Sequence, residues 1–178
     1  DLKRTFIHYI KEELTQQTSH KKVLETTEEL QNYTIQVNPR EINLFYMEDD
    51  LRERIIFENE KYTVNNTKIE FSETEILELL ENHPEKFSPN VIMRPLYQEV
   101  ILPNLCYIGG GGDLVYWLEL KSFFESQHVT FPILLLRNSV LLATEKQVEK
   151  ADKLQLTWRD LFLNQQELFN QKTKLLSD

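Results

Sequence analysis

The chain has 178 residues, is 40% hydrophobic and 11% aromatic, and carries a net charge of −9 with a single cysteine, Cys106. That allows one domain with a real core, or one domain with a small insertion, and excludes an internal disulfide; a reducing, cytoplasmic setting is expected. No run approaches the ~18–20 apolar residues of a membrane span, no signal-peptide pattern is present, and neither half holds the basic stripe of a nucleic-acid binder, so neither a membrane nor a nucleic acid is an expected partner.

Leu2, Phe6, Ile7, Ile10 and Leu14 recur at helical spacing, which predicts an amphipathic helix over 2–17. Asp1-Leu2-Lys3 has no initiator Met, and Lys174-Leu175-Leu176-Ser177-Asp178 has no helix breaker, so the chain reads as part of a longer protein. Gln16–Lys22 is polar and reads as a loop, with a short helix over about 24–31. From Tyr33 the period changes. Tyr33, Ile35 and Val37 alternate, Asn43–Met47 and Leu51–Phe57 read as strands, and Asn65-Asn66 reads as a two-residue hairpin turn between Tyr62–Val64 and Thr67–Phe71. Residues 33–71 are therefore expected to form a small antiparallel unit. Ser72 and Glu75 make a capping box for a helix that ends before Pro84.

Residues 88–143 change character. Val91-Ile92-Met93 reads as a short strand, Leu96–Leu102 as a helix between Pro95 and Pro103, and Leu105–Ile108 as a second strand. A helix from Asp113 to about Gln127 follows, with Tyr116, Trp117, Leu120, Phe123 and Phe124 on its apolar arc. Phe131–Leu136 reads as a third, buried strand. The fold class is α/β: a β-α-β-α-β half-core with parallel strands, preceded by an antiparallel β insertion and flanked by helices. Three segments follow: 1–87 with the insertion, 88–143 with the half-core, and 144–178, a helical end. In that end Leu154, Leu161, Leu168 and Leu175 are seven apart, beside Phe162, Phe169 and Leu176, which suits either a coiled-coil seam that pairs subunits or a long helix packed on its own protein.

All four glycines of the chain stand together, Gly109-Gly110-Gly111-Gly112, between a strand and a helix. Glycine serves positive φ or close approach to the backbone, so at least one of the four is expected at φ > 0 with N–H groups facing a cleft. The run fits neither the dinucleotide fingerprint nor the P-loop. A glycine turn at a helix N-terminus can still bind an anion, although Asp113 in the first turn already answers the helix dipole and would suit an amine or a ribose hydroxyl. Arg94 and Arg137 are two of only three basic residues in 88–143, and with Asn138 they fall at predicted strand ends, where open α/β sheets bind ligands. Arg94 could instead pair with Glu99, and Gln98 could be a surface residue. His8, His20, His83 and His128 lack metal-ligand spacing, so no metal site is expected, and no catalytic residue can be named.

The stretch Arg94-Pro95, Gln98-Glu99, Leu102-Pro103, Gly109–Gly112, Asp113 and Tyr116-Trp117 resembles the bacillithiol-biosynthesis cysteine-adding enzymes, a cysteine ligase family. Outside 88–143 the likeness is one of layout. The resemblance implies a Rossmann-like core of which this chain would be the C-terminal part, too little for activity alone. It also implies dimerisation through a C-terminal coiled coil, and a cytoplasmic ligase that joins cysteine to glucosaminyl-malate with nucleotide (ATP or ADP) involvement. Binding residues would be Arg94, Gln98, Gly109–Gly112, Asp113, Arg137 and Asn138. Asp113 stands where many members have Glu. The competing expectation is a non-catalytic assembly module in which the same elements only pack.

Overall fold

The N-terminal apolar stripe folds into a 3-10 turn, Arg4–Phe6, and helix α1 (Ile7–Gln16), burying Phe6, Ile10 and Leu14. The computed structural model describes residues 2–176, with backbone alone for Leu175 and Leu176. The polar stretch after α1 is not a loop. Gln17 takes a left-handed conformation (φ 54°) and helix α2 (Thr18–Glu29) starts at once. Glu13, buried, holds the junction: its carboxylate accepts the N–H and hydroxyl of Ser19 at 3.0 and 2.7 Å and the backbone N–H of Asn43 at 2.9 Å. Burial pushes this carboxyl above its ordinary range, while the donors from Ser19 and Asn43 pull it back.

Strands β1 (Leu44–Glu48), β2 (Leu51–Glu58), β3 (Lys61–Val64) and β4 (Glu70–Phe71) form an antiparallel meander. Strand β5 (Phe87–Pro89) adds antiparallel to β1, giving the order β4-β3-β2-β1-β5. This sheet crosses the 87/88 division drawn from composition. Tyr33–Val37 does not join it, and the Asn65-Asn66 hairpin is wider than two residues, since Val64 N–H donates to Ile69 O at 2.9 Å. Helix α3 (Glu73–Asn82) has the expected capping box: Glu75 N–H donates to Ser72 Oγ and Ser72 N–H donates to Glu75 Oε2. Ile76 and Leu80 of α3 join Leu14, Ile55, Tyr62 and Val64 in the core, and the Tyr62 hydroxyl donates to Leu14 O at 3.0 Å.

Val91–Met93 is a turn, not a strand. The Asn90 side-chain oxygen accepts the N–H of Ile92 at 2.8 Å, Arg94 N–H donates to Asn90 O at 2.9 Å, and Ile92 and Met93 are buried as the chain enters helix α4 (Arg94–Ile101). Among the described residues the parallel sheet therefore has two strands, β6 (Cys106–Gly109) and β7 (Ile133–Leu136), in the register Tyr107↔Leu134. Helices α5 (Gly111–Glu119) and α6 (Lys121–Ser126) connect them. One face of the pair is packed: Tyr107 lies 4.7 Å from the buried Trp117, centroid to centroid, and Trp117 continues into Phe124 and Phe131. The other face is open, so β7 is not the buried strand its apolar run suggests. Ile108, Ile133 and Leu135 are 65, 66 and 50% exposed.

These elements belong to one compact unit, Asp1–Arg137; Asn138–Asp178 form a second. The second unit holds helix α7 (Glu145–Lys153), a 3-10 turn (Asp160–Phe162) and helix α8 (Gln165–Leu176), not one long helix. Thr157 N–H donates to Asp160 Oδ2 at 2.7 Å, closing a fresh turn that interrupts the helical path. Leu154 caps α7 and Leu161 lies in the 3-10 turn, so the seven-residue ladder does not run along one helix. Leu154, Leu156, Leu168 and Phe169 line an apolar cavity of about 520 Å³ within the unit. The side chains of Leu175 and Leu176, and all of residues 177–178, lie outside the described residues. No described helix is long and apolar enough to cross a membrane.

Candidate functional site

Strand β6 delivers Gly109 to its C-terminal end, and β7 delivers Arg137 beside it, where Arg137 N–H donates to Gly109 O at 2.9 Å. Gly110 is the N-cap of α5, and its N–H donates to Asp113 Oδ2 at 3.0 Å. This is half of a capping box, since glycine has no side chain to return the bond. Leu114 N–H closes the first helical bond onto Gly110 O, so the N–H groups of Gly111, Gly112 and Asp113 lie in the first turn, where a helix has no partner for them.

None of the four glycines has positive φ. The left-handed positions of this unit fall on Gln17, Asp50, Asn59, Glu60, Asn66 and His128 instead. The expectation of a left-handed glycine is therefore wrong, and close approach accounts for Gly109 and Gly110. A Cβ on Gly109 would lie 2.7 Å from Tyr107 Cε1 and 2.9 Å from Asp113 Cβ. A Cβ on Gly110 would lie 3.2 Å from Arg137 Nη2, so glycine here lets the guanidinium lie against the backbone. At Gly112 the nearest atom is Gln36 Oε1, 3.4 Å away, and at Gly111 nothing lies within 4 Å. Helical glycine costs about 1 kcal/mol relative to Ala. At Gly111 no described neighbour explains that cost.

Gly110, Gly111 and Gly112 form the floor of an open cavity of about 370 Å³. Asp113 and Arg137 bring opposite charges to it, Gln36 and Val37 form one wall, and Val91 and Tyr116 the other. The Tyr116 hydroxyl donates to Val91 O at 2.5 Å. Burial pushes this phenol up to about 12, and the positive charge of Arg94 beside it works in the opposite direction. Tyr116 is thus a neutral donor at ordinary pH, not a base.

Of the residues named from sequence, the structure brings Gly110, Gly111, Gly112, Asp113 and Arg137 together at the cavity, with Gly109 packed beneath. Arg94 reaches it only through Tyr116, and it does not pair with Glu99. Glu99 is buried and accepts from Asn104 N–H at 2.7 Å and Asn104 Nδ2 at 2.9 Å. Gln98 leans on Glu99 at 3.5 Å and does not line the cavity. Asn138 opens the second unit. Sequence reasoning missed Gln36, Val37 and Val91, and placed Tyr116 among core residues. No described group of three or more His, Cys, Asp and Glu could hold a metal ion.

The model of the Rossmann-like N-terminal domain of the bacillithiol biosynthesis protein BshC matches residues 1–138. The chain belongs to the BshC family. Its relatives include a Flavobacterium johnsoniae protein, 71% identical over 177 residues, covering 99% of this chain and 34% of the relative. A Flavobacterium psychrophilum protein is 64% identical over 99% of this chain and 33% of its own length. A Bacillus pumilus protein is 37% identical over 65% of this chain and 21% of its own length. Each is named "Putative cysteine ligase BshC". The chain spans about a third of the length of the two Flavobacterium proteins. The likeness to the family begins well before residue 88, and a match to its N-terminal domain gives no support to placing this chain in the C-terminal part of the core.

Proposed function

We propose that the full-length protein is a ligase that joins the carboxyl of cysteine to the amine of glucosaminyl-malate in bacillithiol biosynthesis, in the cytoplasm, and that the cavity at the start of α5 is part of its substrate site. The names of the relatives support the reaction class. The observation that carries the site is Gly111: a helical glycine with no described residue within 4 Å of its Cβ position, beside Arg137 lying on Gly110. Backbone left bare there suits a ligand that approaches the first-turn N–H groups, with Arg137 as its counter-charge. Asp113 spends one carboxylate oxygen on Gly110 N–H, which lowers its cost to an incoming anion without removing it. A nucleotide would supply activation of the cysteine carboxyl. The first-turn N–H groups and Arg137 are the residues that would hold its phosphates.

The test is ligation by the full-length protein with cysteine and glucosaminyl-malate, with and without ATP, read by mass spectrometry of the thiol product. Arg137→Ala should lower kcat/KM on the order of tenfold or more, the scale of one charge-assisted hydrogen bond. No product under either condition would refute the ligase, and unchanged kinetics in Arg137→Ala would refute the site.

A further inference from the structure

Glu119 ends helix α5, about two turns beyond Gly112, and is fully buried. Neither of its oxygens is spent on its own helix or on a cation. Oε1 accepts the backbone N–H of Gln36 at 2.7 Å, and Oε2 accepts that of Val37 at 3.1 Å. Gln36 and Val37 lie in an irregular stretch between α2 and β1 that has no strand or helix of its own. Such a stretch normally runs over the surface, with its backbone bonded to water. Here it is pinned to the helix that carries the glycine turn. With its Nε2 donating to Thr34 O, Gln36 carries its Oε1 to 3.4 Å from where a Cβ of Gly112 would stand, and Gln36 and Val37 line the cavity as a wall.

We propose that Glu119 is the positioning residue of this site. One buried carboxylate fixes the Gln36–Val37 wall over the glycine turn, and so sets the width of the opening in front of Gly111 and Gly112. The chemistry requires a carboxylate. Two converging N–H donors need two acceptor oxygens in one plane, and an amide of the same shape presents one oxygen and one NH₂. In Glu119→Gln one N–H therefore faces another donor, and the wall loses half of its anchor. Burial raises the Glu119 carboxyl above its ordinary range, and the two N–H groups pull part of that rise back.

The effect on catalysis rests on the ligase reading; the effect on the wall does not. In the full-length protein, Glu119→Gln should speed hydrogen exchange of the Gln36 and Val37 amides by about tenfold or more, the scale of a buried hydrogen bond lost, with the protection of α5 kept. In ligation assays the same variant should raise KM more than it lowers kcat. Glu99→Gln is the control, because Glu99 is an equally buried carboxylate holding one backbone N–H away from the cavity. It should leave both the 36–37 exchange and KM unchanged. Where Glu119→Gln fails to fold, Gln36→Ala carries the kinetic test: it keeps the carboxylate and both N–H groups, and KM must still rise. Unchanged exchange at 36–37 would overturn the anchor, and faster exchange with unchanged KM would overturn its role in the site. If the unmodified protein shows no ligation, that failure belongs to the ligase reading, and the exchange arm alone decides for or against Glu119 as the anchor.

Discussion

Adding one methyl group at Gly109 and one at Gly111 should have opposite effects, although the two residues are neighbours but one. At Gly109 the new Cβ would stand 2.7 Å from the Tyr107 ring and 2.9 Å from Asp113 Cβ. Asp113 Cβ is fixed to the helix backbone, and the Tyr107 ring is wedged against Trp117, so neither can retreat freely. Overpacking of this kind costs about 1–3 kcal/mol and lowers Tm. At Gly111 φ is negative, the residue opens α5, and nothing lies within 4 Å of the added atom. Alanine there removes chain entropy from the unfolded state and should stabilise by about 0.4–1 kcal/mol. If a ligand approaches that backbone, Gly111→Ala raises Tm and impairs ligation together. The assay is thermal unfolding beside ligation kinetics, on the full-length protein. A Gly111→Ala variant that loses stability would show that another part of the polypeptide packs there, and one with full activity would show that nothing needs the bare backbone; either result refutes the ligand reading of the turn.

Arg94→Ala should lower activity less than Arg137→Ala and leave Tm nearly unchanged, because Arg94 is exposed and meets the cavity only through Tyr116; a loss equal to that of Arg137→Ala would place Arg94 on the ligand itself. Tyr116 has a folded-state pKa of about 12 against 10 unfolded, so its neutral phenol contributes stability fully present below pH 10 and lost as pH rises from 10 to 12. Chemical denaturation of the native protein and Tyr116→Phe between pH 9 and pH 12 should show the native protein losing stability more steeply, and parallel curves would contradict this. In the second unit Phe162 and Phe169 are 80 and 60% exposed, and a homodimer through that unit should dissociate on Phe169→Lys in sedimentation; a protein monomeric before the substitution would remove the idea.

What local pattern decides was legible. The spacing of Phe6, Ile10 and Leu14 folds as a helix, Ser72 and Glu75 cap α3, and Cys106–Gly109 and Ile133–Leu136 are strands on either side of a helical connection. What a distant partner decides was not. Tyr33, Ile35 and Val37 alternate like a strand, yet the N–H groups of Gln36 and Val37 go to Glu119, a partner more than eighty residues away. Ile92 and Met93 are as apolar as a buried strand, and they are buried, but the Asn90 side chain takes their N–H groups first and turns the chain into α4. The 154–175 ladder fails for a local reason. Helix α7 ends at Lys153, Gln155 turns left-handed and the Thr157–Asp160 turn follows, which interrupts the helix that the seven-residue spacing asks for.

The glycine run shows where composition stops being informative. Four adjacent glycines signal a backbone demand, and positive φ is the usual explanation, but this chain meets every left-handed turn among its described residues with Gln, Asp, Asn, Glu or His. The demand therefore divides by position. Gly109 makes room for Tyr107 and Asp113 from within and Gly110 for the guanidinium of Arg137, whereas a Cβ on Gly112 would meet Gln36 Oε1 at 3.4 Å, an ordinary van der Waals contact. The first two are accounted for by side chains of the chain itself. Gly111 has no described neighbour within 4 Å of its Cβ position, and it sits at the first helical position, where its missing side chain leaves the backbone of the turn open. Close packing thus explains the first two glycines and leaves Gly111 bare among the described residues, and the Gly111→Ala variant decides whether a ligand is what uses that backbone.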